Sequence, residues 1–134
     1  MAGSKSNYLE NGVLNHVLGG PDFARPASVF IALYTVAPSD IGGGTEVFGG
    51  SYNRVTALND ATTWPIAVNG MKRNGVAFVF PFATADWGLI VAFAILDAAS
   101  GGNILYWGDL TSSKTVESGD TAEFPINGIS ILED

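Results

Sequence analysis

The sequence of 134 residues contains no cysteine. Disulfides, thiolate zinc sites and cysteine nucleophiles are therefore excluded. His16 is the single histidine, and no His-x-x-x-His or Glu-x-x-His pattern surrounds it. A histidine-based metal site or triad thus lacks its partners, and no cofactor or metal is expected. Charge is also scarce, at 14% of residues, against roughly 25% in ordinary soluble domains. A single domain so poor in charge is expected to hide apolar surface against partners or copies of itself. Bases are scarcest, with six against thirteen acids and a net charge of −7. Five of each are found up to Ala85, whereas from Asp86 onward eight acids face Lys114 alone. Such a surface repels phosphate backbones, and the one basic cluster is the pair Lys72–Arg73, so direct nucleic-acid binding is not expected. The apolar run from Trp87 to Leu96 spans ten residues, about half the ~20 that a membrane helix requires, so no membrane partner is expected either. The opening "MAGSKSNYLEN" lacks the apolar core of a signal peptide, which predicts synthesis and retention in the cytosol.

One segment carries a helical pattern. In "SNYLENGVLNHVLGGP" residues Leu9, Val13, Leu14, Val17 and Leu18 fall on one face, and Asn7 with Glu10 has the form of a capping box. Gly19–Gly20–Pro21 ends the helix. After it the period changes to two. In "SVFIALYTV" Val29, Ile31, Leu33 and Thr35 alternate with Phe30, Ala32, Tyr34 and Val36, so both faces are mainly apolar, as in a strand covered on both sides. "YNRVTAL" and "VAFVFPF" read as short strands, joined by a connection with Asn-Gly turn signals at Asn69–Gly70 and Asn74–Gly75. In "LIVAFAIL" Val91, Phe93 and Ile95 oppose Ala92 and Ala94, and "ILYWGDL" returns beside it as a hairpin partner. Further short strands flank a turn at Ser118–Gly119–Asp120. One short helix followed by about seven or eight strands predicts a mainly β protein, an antiparallel β-sandwich with the jelly roll as one variant. The expected organisation is an N-terminal helical arm over residues 1–20 and a β-sandwich domain over 21–134.

No segment carries a catalytic constellation. The glycines of "IGGGTEVFGG" lack the Gly-Lys-Ser/Thr and the helix of a phosphate loop. Asp86, Asp97, Asp109 and Asp120 recur at strand ends, where aspartate is favoured for local backbone hydrogen bonds; paired carboxylates for glycan hydrolysis are the rival reading. "DAASGGN" lacks the alternating ligands of a calcium loop. Trp64, Trp87 and Trp107 suit core or subunit packing, or, if exposed, platforms for sugar rings.

Four stretches together are telling: "NYLENGVLNHVLGG", "VFIALYTVAPSD" with its glycine-rich sequel, "GGSYNRV", and the long run from "FPFATADWGLIVAFAILDAASGGNILYWGDL" to "INGISI". In this order they resemble a family of small tailed-bacteriophage virion structural proteins, often labelled tail-fibre proteins and similar to the cement proteins that decorate phage heads. The resemblance implies a structural, non-enzymatic role in the virion, with the protein made in the host cytoplasm. The leading expectation is a capsid cement or decoration protein, a homotrimer that clamps neighbouring major-capsid subunits from outside. Its neutral N-terminal part would face the shell and its acidic part the solvent. The alternatives are a tail-fibre or tail-associated component, and a module that binds host surface glycans. The residues expected at a partner interface are Leu9, Val13, Val17, Trp64 and Trp87.

Overall fold

A computed structural model of the chain describes residues 2–133. The elements are β1 (Ala2–Lys5), α1 (Asn7–Val17), β2 (Ser28–Val36), β3 (Thr45–Glu46), β4 (Val55–Leu58), β5 (Met71–Arg73), β6 (Phe78–Val79), β7 (Gly88–Leu96), β8 (Ile104–Val116), β9 (Glu123–Phe124) and β10 (Ser130–Leu132). The two segments with apolar residues on both faces, β2 and β7, are interior strands of an eight-stranded sheet and pair antiparallel from Phe30↔Leu96 to Tyr34↔Ala92. Beyond β7 lies its hairpin partner β8. The far edge of β2 is shared by β4 and β3. On the other side β8 pairs with β1, β1 with β10 in parallel, and β10 with β5.

A second layer covers one face. The β6–β9 sheet joins Phe78 to Phe124, and the Phe124 ring lies 6.0 Å from Phe93 and 6.2 Å from Phe80, edge to face. Val29, Ile31, Leu33, Phe93 and Ile95 fill this inner core from the large sheet. The protein is a mainly β, antiparallel-dominated sandwich with one helix, its strands divided eight to two rather than evenly.

The opposite face is buried as well, through small side chains. Ala32, Ala92 and Ala94 are fully buried there beside Tyr34 and Leu96. They leave room for the chain after β2 to lie down on the sheet, with Ala37 packed against them. Two bonds fasten that loop: the Asn7 N–H donates to the Asp40 carbonyl at 2.8 Å, and Trp107 Nε1 donates to Asp40 Oδ1 at 2.9 Å. Gly44 is required here, because its φ is +75° and a Cβ would lie 2.6 Å from the Val36 carbonyl oxygen. The chain after β2 is therefore held over the alanine face by Ala37 and Asp40.

Several local readings are corrected. Val91 packs with Ala92 and Ala94, not with Phe93 and Ile95. The register passes from Ile90↔Lys114 to Ala92↔Asp109, so Val91 faces the bowed segment Leu110–Ser113, and this bulge resets the alternation. The helix cap is Ser6 rather than Asn7: Ser6 Oγ accepts from the Leu9 N–H at 3.2 Å and donates to the Ile104 carbonyl. The connection after β4 contains a strand, β5. Asn69–Gly70 forms the expected tight turn, with both residues at positive φ and Val68 bridged to Met71. Asn74–Gly75 does not, for Asn74 is fully buried and serves as a polar staple. Its Nδ2 donates to the carbonyls of Val76 (2.8 Å) and Pro125 (2.9 Å), and its Oδ1 accepts from the Ile129 N–H (2.9 Å).

Candidate interaction surface

The groups singled out for chemistry are dispersed. His16 lies in the last turn of α1 in an exposed position, its Nδ1 accepting the Phe23 N–H at 3.1 Å. Asp97 accepts from the Asn103 N–H and side-chain amide at 2.7 and 3.0 Å. Asp86 and Asp120 accept the successive N–H groups of Ser118 and Glu117, each at 2.9 Å. These three aspartates are occupied in fixing turns, while Asp109 stands exposed in β8 opposite Ala92. Among the described residues no group of three or more His, Cys, Asp or Glu side chains is arranged to hold a metal ion.

The strongest polar constellation went unnoticed in the sequence. Arg54 meets Glu46 through two bonds, Nε to Oε2 at 2.9 Å and an NH2 bond to Oε1 at 2.8 Å. Its remaining nitrogen donates to the carbonyls of Ala98 (2.7 Å) and Gly101 (2.9 Å). The Tyr52 hydroxyl donates to Glu46 at 2.7 Å and accepts the Leu33 N–H at 3.0 Å. Burial by itself raises the Glu46 carboxyl, but the bonds from Arg54 and Tyr52 outweigh it and hold it below its ordinary range. Burial, helped by the bond to Glu46, pushes the Tyr52 phenol far above its ordinary value. With every member satisfied, this cluster clamps β3 and the 97–103 loop onto the sheet. It is a structural lock rather than a reactive centre.

Several large apolar side chains remain exposed. Of the five residues expected at an interface, Leu9, Trp64 and Trp87 are buried in the core of the chain itself. Trp64 packs on Phe78 with ring centroids 5.5 Å apart. Trp87 meets Tyr52 edge to face at 5.3 Å and donates from Nε1 to the Gly50 carbonyl. Both rings are covered by the chain's own residues, apart from the edge of Trp64 that lines a small apolar cavity, and Trp107 is tied to Asp40. Val13 and Val17 do reach the surface, and Val17 is 67% exposed. With Leu14 and Leu18 they form an uncovered apolar face on α1, because Leu9 alone of that helix is buried. Gly12 lets Phe23 pack against the helix: a Cβ there would lie 2.7 Å from its ring. The fold thus anchors α1 at its start and leaves its second half standing out from the sandwich.

A family model described as Podophage GP4 fiber I protein gp80 matches residues 4–132. The chain belongs to this family. The matched span of the fibre family runs from within β1 through α1 to the last residue of β10. Membership makes the protein a fibre-type structural component of a phage virion. No curated protein matches the chain.

Proposed function

We propose that this chain is a compact, non-enzymatic subunit on the outside of a phage particle, attached to it through the uncovered face of α1 and associated with copies of itself. The observation that supports this reading is the exposure of Leu14, Val17 and Leu18, at 57%, 67% and 74%, on a helix anchored at its start by Leu9. Apolar side chains grouped in this way favour burial against a partner, each contributing roughly 1.5–3 kcal/mol when fully covered. The description of the matched family supports attachment as a fibre component, with tail proteins as the partner. A second reading, a cement or decoration protein that clamps major-capsid subunits, is favoured by the compact sandwich that the described residues form. Homotrimeric assembly suits either reading, since many weak contacts repeated around a particle gain strength by multivalency.

The test is a triple substitution of Leu14, Val17 and Leu18 to Ser, assayed for incorporation into particles lacking the native copy. A folded variant that fails to bind particles agrees with the proposal. Wild-type incorporation would contradict it. Reconstruction of the intact particle then separates tail from head attachment.

A further inference from the structure

The sandwich carries an apolar cavity at one end and an apolar projection at the other. The cavity, of about 230 Å³, is lined by Phe23, Val29, Trp64, Ile95 and Ile131 among others. Small-molecule sites run from roughly 300 to 1,000 Å³, so this hollow is better sized for one large side chain than for a free ligand. Arg25 and Lys72 also line it, and neither makes an ion pair among the described residues. They are two of only six bases in the chain.

At the other end Phe82 is 60% exposed, with Val79 of the small sheet at 53%. Acids lie on the neighbouring turns and strand. Ala83 bonds through its N–H to the Asp120 carbonyl, and Asp86 caps Ser118 in the same turn as Glu117. Glu123 pairs across from Val79. All four carboxylates are exposed, with Lys114 the one base nearby. The two ends are separated along β7: Gly88 starts beside Val116 at the acidic end, and Ile95 lies in the cavity. Seven residues of strand, at about 3.3 Å each, put Gly88 and Ile95 on the order of 20 Å apart, and Phe82 is not among the residues that line the cavity of its own chain.

We propose that the cavity is a socket for Phe82 of a second copy of this chain, with Arg25 and Lys72 at its mouth facing the acidic collar around that phenylalanine. Knob and socket are different patches, so the contact is heterologous and builds either a closed ring or an open row of subunits. Opposite charge at the rim selects the head-to-tail orientation and speeds encounter, while the buried ring supplies most of the affinity. The inference rests on the self-association reading above and specifies the surface that performs it. The α1 face stays free for the particle.

Sedimentation velocity on three proteins tests it: the wild type, Phe82→Ser, and the double variant Arg25→Glu with Lys72→Glu. All three substitutions lie at exposed or half-exposed positions, and circular dichroism checks that each variant stays folded. Each variant is expected to weaken self-association at least about tenfold, as loss of a central aromatic or reversal of a charged rim does. Mixed together, the two variants should form a one-to-one dimer and nothing larger, because one intact socket then meets one intact knob. Wild-type association should also weaken with added salt. If the variants assemble as the wild type does, or their mixture stays monomeric, the knob and socket are wrong while self-association stands. A wild type that remains monomeric at high micromolar concentration overturns both.

Discussion

Replacing Asn74 with Leu tests the account of the core most sharply. The side chain is fully buried and makes three bonds, to the Val76 and Pro125 carbonyls and from the Ile129 N–H. Leu branches at Cγ as Asn does but carries neither donor nor acceptor, so it excludes water and leaves these three backbone groups without their partner. Each buried polar group so orphaned costs about 1–3 kcal/mol. Pro125 loses least, since its carbonyl also accepts from the Gly128 N–H at 2.8 Å. Allowing for the apolar burial gained, a net loss of about 3–5 kcal/mol is expected, a large part of the roughly 5–15 kcal/mol that holds a domain folded. In urea, with a slope of roughly 1–3 kcal/mol per molar, the midpoint should fall by about 2 M at unchanged slope. The control is Asn69→Gly in the exposed turn, where the backbone already lies at φ 54° and little change is expected. A loss below about 1 kcal/mol for Asn74→Leu would refute the reasoning, since three orphaned groups cannot be that cheap.

Three further outcomes follow from the same geometry. Glu46 is held below its ordinary range, so its stabilising contribution is present above the unfolded value and is lost as pH falls through the folded one. Glu46→Gln should therefore lower stability at neutral pH and flatten its decline on acidification, as read by urea titrations across that range. Gly44→Ala should cost about 1–3 kcal/mol through strain at positive φ and collision with the Val36 carbonyl, and should loosen hydrogen exchange at the Asn7 amide that bonds to Asp40. Deleting residues 1–20 removes β1 from between β8 and β10 and Leu9 from the core. We propose that this segment folds with the sandwich, so the truncated chain should lose its cooperative thermal transition, whereas a stable β domain would identify a separable arm.

How much was legible in the sequence depended on whether burial left a period. The alternation of Val29, Ile31 and Leu33 against Ala32 and Tyr34 placed β2 with covering on both sides, and the two faces are indeed both buried. The same reasoning missed Val91, because a bulge is a property of the pairing and leaves no mark on one strand. β1 escaped because its inward position is a glycine: a Cβ at Gly3 would lie 2.6 Å from Ile131 and 3.2 Å from Phe93, so the site demands the absence of the very signal that marks a strand. Asn74–Gly75 copied a turn signature while serving as a buried staple. Arg54 and Glu46, eight residues apart, gave no hint of being joined, since burial of an ion pair is decided by the loop at Ala98–Gly101 closing over it. At the candidate surface, tryptophan as a residue type pointed to exposure or core alike. The fold placed Trp64 and Trp87 inside, and left α1 with the residues that earlier apolar periodicity had grouped.

The central claim is that the protein works as an assembled part of the particle exterior. The most direct measurement is a cryo-electron microscopy reconstruction of intact virions, compared with particles lacking this chain. The account predicts density for the sandwich on the outside of the particle, in several symmetry-related copies, with α1 turned toward the particle surface. Absence of the protein from purified virions, or copies held within the particle interior, would contradict it.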